Sequence, residues 1–350
     1  MKKRLPIIMF AITAFTLSSM VSLNVLDTFV FTHEAGQLSG SDNFSFDDSG
    51  VPFGGSSSQT SSRSTKTTKT KSSSTPISSA SIPTFSSSSL DANHTTVEYI
   101  SSTYTIKNKA VKYHLARIQL KRLSDLRTMI ATNSSGYYGS NITQKFGTLI
   151  KNAEANNAPR VLCAISGEYP FWQGKQGYVV RNGTTYRETV RTNTGEDLAI
   201  FKNGQIVSYL ESEHTLTELK TTYGGDIYQN FSFGPTLVLD GQITVTQDQE
   251  IDGQTMSQNE RTAIGFGSGG VLYFLATEVN GDRNSASAAS FSLYTLASFM
   301  QGLGCFCAYN LDGGASSAFY FNGGTTSYSS DGIRTNAERN LGDIIYVVDA

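Results

Sequence analysis

The chain is 350 residues long, and 27 Lys and Arg against 29 Asp and Glu leave a formal net charge of −2. That balance, without a basic stripe interleaved with aromatics in the C-terminal two thirds, argues against a nucleic-acid partner. Three cysteines, Cys163, Cys305 and Cys307, are an odd number for a disulfide framework, and with no histidine near them in sequence they make a poor zinc set.

Lys2, Lys3 and Arg4 precede an apolar run over residues 5–26. The run is long enough to span a bilayer, and its basic flank predicts a cytoplasmic N-terminus. No Ala-x-Ala cleavage site follows it, so residues 1–31 are expected to be an uncleaved signal-anchor, with a cleaved signal peptide as the alternative. Either places the remainder outside the cytoplasm, at the membrane face or secreted. Residues 32–96 are dominated by Ser and Thr, with Lys66, Lys69 and Lys71 interspersed. Such a segment cannot bury enough apolar surface to offset the entropy of ordering it, which predicts a disordered stalk. One folded domain is expected over residues 97–350.

Within that domain, residues 111–120 alternate apolar and polar side chains, the pattern of a half-buried strand. Residues 144–157 put Phe146, Leu149, Ile150 and Ala153 at helical spacing before Pro159, and residues 160–165 read as a buried strand entering Ser166-Gly167-Glu168-Tyr169. Arg181-Asn182-Gly183 and Lys202-Asn203-Gly204 are hairpin-type turns. A second helix is predicted over 215–223, with Leu216 and Leu219 inward and Gly224 as its stop. A long strand follows over 271–279. A third helix over 291–303 carries Leu293, Leu296, Ala297, Met300 and Leu303 on one stripe and closes at Gly304. It feeds a strand over 305–311, on which Cys305 and Cys307 are expected to share one face as small buried residues. Strands outnumber helices, and short turns rather than helical crossovers join several of them. The predicted fold is therefore α+β: a mixed, largely antiparallel β-sheet core with a few packed helices in a single domain.

Between two strand-like runs lies Tyr309-Asn310-Leu311-Asp312-Gly313-Gly314-Ala315-Ser316-Ser317. It sets a carboxylate and two hydroxyls on a turn where Gly313 and Gly314 permit positive φ and close approach of a ligand to the main chain. Such a turn suits sugar recognition. None of His33, His94, His114 and His214 stands in a recognisable triad order, so serine nucleophile chemistry is not expected. Asp312 and Glu168 are hard oxygen ligands suited to calcium, yet no EF-hand-like spacing accompanies them, and no metal or other cofactor is assigned.

Seven segments taken in order carry more. They are Tyr113-His114-Leu115-Ala116-Arg117-Ile118, Ala164-Ile165-Ser166-Gly167-Glu168-Tyr169, Gly177-Tyr178-Val179-Val180-Arg181-Asn182-Gly183 with Tyr186-Arg187, Phe231-Ser232-Phe233-Gly234-Pro235, Arg261-Thr262-Ala263-Ile264-Gly265, residues 308–317, and Gly342-Asp343-Ile344-Ile345-Tyr346. As an ordered set this resembles the phosphodiester glycosidase family, which includes exported bacterial members with exopolysaccharide-related names. The resemblance covers residues 111–348.

The resemblance implies cleavage between an anomeric carbon and a phosphate oxygen of a sugar-phosphate or polysaccharide substrate. The leaving group is then a phosphate monoester, whose second pKa is about 6. It departs without the strong general acid an ordinary glycosidase needs. Arg261 is the first candidate for gripping phosphate, because a guanidinium fork matches that geometry. Arg181 and Arg187 are weaker candidates for substrate binding, since each sits near a turn where a solvated arginine is commoner. Asp312 would stabilise oxocarbenium-like charge or activate water, with Glu168 as the second carboxylate. Ser316 and Ser317 would bind phosphate or sugar hydroxyls through side chains or amides, with Gly313 and Gly314 letting the substrate approach the main chain. Asn310 would orient Asp312, while Ser166, Ser232 and Gly234 with Pro235 would shape the wall. In this family Asn-Gly-Asp or Asn-Gly-Gly is usual where the chain has Ser166-Gly167-Glu168, and three glycines are common at Gly313-Gly314-Ala315. The competing expectation is accordingly a surface module that binds anionic polysaccharide without turnover, and a third is a polymer-modifying transferase.

Overall fold

The computed structural model describes Pro83, Ser285 and residues 94–156, 160–171, 177–190, 195–246, 259–282, 287–321, 326–329 and 339–349. The expected anchor and nearly all of the expected stalk lie outside the described residues. Among those described, no helix is long and apolar enough to cross a membrane.

Three sheets make up the core. The first has seven strands in the order Thr96–Ile106, Lys109–Gln119, Val271–Thr277, Thr262–Gly267, Cys305–Leu311, Thr236–Leu239 and Gln242–Ile243. The second runs Thr184–Arg187, Val179–Arg181, Ile227–Phe231, Glu196–Phe201 and Ile206–Leu210. The third runs Thr326–Ser329, Ala318–Phe321, Val161–Ser166, Asp343–Val348 and Leu126–Ile130. Pairing within them is antiparallel, as in the hairpin that sets Thr96 opposite Gln119 and Ile106 opposite Lys109. The α+β expectation with a largely antiparallel core therefore holds.

Burial explains how the sheets stack. Ala116, Ile264, Phe266 and Phe274 of the first sheet, Leu198 and Phe231 of the second, and Ile165, Phe319 and Val347 of the third share one fully buried cluster. The opposite face of the first sheet, through Val111, Leu115, Ala263 and Ala308, packs on Leu293, Leu296, Ala297 and Met300 of the helix Leu293–Gly302. The opposite face of the third packs on Phe146, Leu149, Ile150 and Ala153 of the helix Phe146–Ala155. The inner strands are thus apolar on both faces, as a sheet covered from both sides requires. This corrects the half-buried reading of residues 111–120. Tyr113, His114, Leu115 and Ala116 of that strand are all buried, because it is paired on both edges and covered on both faces.

Local signals set the helix ends. Thr215 accepts from the Glu218 amide and Glu218 accepts from the Thr215 amide, a reciprocal capping box on the helix Leu216–Tyr223, and Gly224 ends it at φ 66°. Thr215→Ala removes the cap acceptor and is expected to cost about 1 kcal/mol. A fall in the denaturation midpoint by that amount, with an unchanged slope against denaturant, is the result to look for. At Arg181-Asn182-Gly183 the hairpin forms as read, with φ 51° at Asn182 and 79° at Gly183, the two positive values a tight two-residue turn needs.

The cysteines depart from expectation. The pairing of Thr262–Gly267 with Cys305–Leu311 shifts register between Phe266 and Gly267, which leaves Phe306 as an extra residue. The strict alternation breaks there. Cys307 enters the three-sheet cluster while Cys305 enters the helix-facing one. All three thiols are buried and free. Burial pushes Cys307 up to about 12 and raises Cys163 and Cys305 as well, so none is a poised nucleophile.

Candidate active site at a sheet-end turn

The glycine turn sits where the first and third sheets end together. Leu311 pairs with Thr262, so Asp312 follows directly across from Arg261. The Asp312 amide donates to Gly167 O at 3.1 Å, and the Gly314 amide donates to Glu260 O at 2.8 Å. One turn of 3-10 helix, Gly314–Ser316, then leads into the strand Ala318–Phe321. Gly314 takes φ 57°, a value that favours glycine. At Gly313 the constraint is proximity, since a Cβ there would lie 2.5 Å from the main-chain oxygen of Glu260. A backbone oxygen held by a sheet cannot yield by that distance. Gly313→Ala is expected to displace the turn, and a solved structure of the variant would show Asp312 moved from its position beside Gly167.

Beneath the turn runs a line of buried hydroxyls. Ser166 Oγ lies 3.1 Å from Thr262 Oγ1, which donates to Ser317 Oγ at 3.1 Å. Ser166 Oγ is also 3.4 Å from Asp312 O, and Tyr169 Oη is 2.8 Å from Ser316 Oγ. The line joins the strand ends of two sheets. Above it, Asp312, Gly313, Gly314 and Ala315 are half-buried, so the turn is partly open to solvent.

Glu168 is built differently. Its side chain is buried, Oε1 accepts from Arg181 Nη2 at 2.5 Å, and Oε2 accepts from the Ser232 amide at 2.8 Å. Arg181 is itself only 1% exposed. Its Nε donates to Asp343 Oδ2 at 2.9 Å, its Nη1 donates to the carbonyls of Val180 and Asn230, and its guanidinium lies 4.6 Å from the Phe231 ring centre. The second oxygen of Asp343 accepts from the Glu168 amide at 2.6 Å. This is a closed ion cluster of one cation and two carboxylates. Burial opposes the charge on Arg181, but Asp343 and Glu168 outweigh it and hold the guanidinium above its usual value. Burial, joined by the charge of Glu168, pushes Asp343 up to about 6 against the pull of Arg181. The solvated setting expected of Arg181 is therefore not found: Asn182 and Gly183 of the turn are exposed, while the Arg181 side chain is buried in the domain.

Arg261 is also buried. Its Nε donates to Phe291 O at 3.0 Å and its amide donates to Thr277 Oγ1 at 2.9 Å. Burial lowers its pKa to about 10, with Glu260 opposing, so it stays cationic at neutral pH. Asn310 gives its Nδ2 to Gly234 O at 2.7 Å, tying the Asp312 strand to the Gly234-Pro235 segment. Among the described residues, the buried Oδ1 of Asn310 has no hydrogen-bond partner. Arg187, on the edge strand of the second sheet, donates from Nε to Gly177 O at 2.6 Å. Ser166, Asp312, Gly313, Gly314, Ser316, Ser317 and Arg261 thus gather at one strand end. Glu168 and Arg181 form the neighbouring ion cluster, and Asn310 and Gly234 line a joined segment.

Asp343 lies in the last of the ordered motifs, and its role emerges only in the fold. The signal was present: an acid followed by Ile344-Ile345-Tyr346-Val347-Val348 sits in a strand apolar on both faces, and a buried charge there needs a partner. Among the described residues, no group of three or more His, Cys, Asp or Glu side chains gathers as a metal site.

The phosphodiester glycosidase family model matches residues 159–348. Among curated proteins, the SPbeta prophage-derived uncharacterized protein YomE of Bacillus subtilis (strain 168) is 22% identical over 254 residues, which are 68% of this chain and 38% of that protein. The chain thus spans well under half the length of that relative. Among solved structures, the zebrafish N-acetylglucosamine-1-phosphodiester alpha-N-acetylglucosaminidase catalytic domain, auto-inhibited by its pro-peptide, superposes with a TM-score of 0.56 at 17% identity, over 75% of this chain and 86% of that one. A hypothetical protein from Synechocystis follows with a TM-score of 0.45 at 14% identity, over 72% and 62% of the two chains. At such identities the likeness to the zebrafish domain is one of fold.

Proposed function

The chain belongs to the phosphodiester glycosidase family, and from that premise we propose that it is an exported hydrolase cleaving the anomeric C–O bond of a sugar-1-phosphodiester in a cell-wall or extracellular polysaccharide. The basic, then apolar, N-terminus supports export. The observation that carries the reading is the unequal setting of the two carboxylates. Both oxygens of Glu168 are taken by buried donors, whereas Asp312 stands half-buried on a turn whose glycines admit a ligand. One carboxylate on a partly open turn suffices for this reaction. The bond from the anomeric carbon to the phosphate oxygen breaks and its electron pair leaves with the phosphate, which needs no strong acid because its second pKa is about 6. Water adds to the anomeric carbon and gives its proton to Asp312, the catalytic residue, acting as general base. Arg261 holds the phosphate charge from its buried position, and the main chain at Gly313 and Gly314 lines the sugar, with the Ser316 hydroxyl and Tyr169 supporting the turn from beneath. Glu168 is a positioning residue that fixes the Ser232 segment through Oε2 and holds Arg181 through Oε1.

The test is release of free sugar from N-acetylglucosamine-1-phosphodiester and UDP-sugar substrates by the full chain, with and without calcium. Release supports hydrolysis. Elongated products without free sugar would instead assign a transferase, and polymer binding without turnover a binding module.

A further inference from the structure

Three rings from separate segments meet at one surface. Tyr138, from the loop after the strand Leu126–Ile130, has its ring centre 5.0 Å from Phe171 and 4.9 Å from Tyr186, and Phe171 and Tyr186 are 6.2 Å apart. The Arg187 guanidinium lies 5.9 Å from the Phe171 ring centre. Tyr138 is 47% exposed and its neighbour Tyr137 is 67% exposed. Val190 is the third exposed large apolar side chain among the described residues, and it follows Thr189, whose carbonyl accepts from the Gly177 amide. All of the large apolar exposure described in this protein is therefore carried by the segments around this ring cluster. Apolar exposure concentrated in this way marks a ligand surface rather than scattered surface residues.

The cluster adjoins the ion cluster and the turn. Phe171 lies three residues beyond Glu168, and Tyr169 between them contacts Ser316. Tyr186 follows Arg181 across the hairpin, and although burial and Tyr138 raise its phenol, the charge of Arg181 reaches it and acts in the opposite sense. The chemistry of the surface is mixed: ring faces for an apolar partner, phenol hydroxyls for a polar one, and a cation at the edge. A pyranose has the matching character, with a face of C–H groups and a rim of hydroxyls, and tyrosine suits such a two-sided partner. Arg187 adds attraction for an anionic chain.

We propose that Tyr138, Phe171, Tyr186 and Arg187 form a second sugar subsite, which takes a pyranose ring of the same anionic glycan chain at a distance from the bond being cleaved. The proposal rests on the sugar-phosphodiester reading above, and makes this protein a polymer enzyme rather than one for single diesters. A small diester ends before reaching the rings. A glycan of several repeats spans both the turn and the rings, and gains their binding energy.

The experiment compares wild type with Tyr138→Ala and Tyr186→Ala on two probes: methyl N-acetylglucosamine-1-phosphate and a poly(N-acetylglucosamine 1-phosphate) fragment of about ten repeats. Polymer binding is also measured by calorimetry, independently of turnover. The expected result is a rise of about tenfold or more in the polymer Kd and KM in the variants, with values for the single diester unchanged. If wild type binds the polymer without cleaving it and the variants lose that binding, the subsite stands and the hydrolase reading falls. If the variants bind and cleave both probes as wild type does, or if wild type does not bind the polymer, the subsite is overturned. A change in sedimentation of Tyr138→Ala with polymer binding intact would overturn it too, since the rings would then be an interface between copies of the chain.

Discussion

Asp312→Asn is expected to lower kcat by about 10²- to 10⁴-fold, the range for loss of a positioned general base. KM should stay close to that of wild type, because the neutral amide keeps the shape of the carboxylate and loses its ability to take a proton. Folding should be retained. The turn is fixed by the backbone amide of Asp312 on Gly167 O and of Gly314 on Glu260 O, and by glycines that the substitution does not touch. Matched thermal unfolding curves with a collapsed rate would locate the effect in the chemical step. Sugar release at the wild-type rate would remove Asp312 from the mechanism and return attention to the carboxylates of the buried cluster.

The largest effect on stability is expected from Arg181→Met. Methionine fills much of the volume but leaves Glu168 and Asp343 as two acids at 4% and 0% exposure with no cation between them. Breaking a buried pair by removing one partner typically costs about 3–5 kcal/mol, since the desolvated charge left behind is uncompensated. That is a large share of a domain stability of roughly 5–15 kcal/mol. Arg181→Lys should recover little of it. An ammonium cannot reproduce a planar fork whose Nε meets Asp343, whose Nη2 meets Glu168 and whose Nη1 meets two carbonyls. Urea unfolding monitored by fluorescence reads the change. A triple variant that also carries Glu168→Gln and Asp343→Asn should regain much of the loss, because the stranded charges are then gone. A single Arg181→Met variant within about 1 kcal/mol of wild type would show that the cluster is hydrated rather than closed.

Much of the secondary structure was legible because its determinants are local. The spacing of Phe146, Leu149, Ile150 and Ala153 marks one helix, and Thr215, Glu218 and Gly224 mark both ends of another. What lies between distant elements was not legible. Nothing in residues 109–119 states that they pair with 271–277, so a strand clad on both faces read as half-buried. The bulge at Phe306 likewise depends on a partner strand and leaves no local mark, which is why Cys305 and Cys307 were assigned one face. The candidate site divides in the same way. The Asp312 turn announces itself through its glycines and serines, and its neighbours at Ser166 and Arg261 were found through the ordered motifs. The burial of Arg181 was missed because residues beside an Asn-Gly turn are usually wet. Its partner Asp343 lies 162 positions away in sequence, and only the fold joins them.

The separation of the three thiols gives the protein a built-in reporter of how it comes apart. Cys163 and Cys307 sit in the layer shared by the three sheets, and Cys305 sits under the helix Leu293–Gly302. None is reachable in the native state. A thiol reagent therefore labels each only when its own surroundings open. Equal labelling rates at all three would mean that the domain yields as one cooperative unit. Earlier labelling of Cys305 would show the helix lifting from its sheet while the inner layer stays shut. The chain needs no added probe for that measurement.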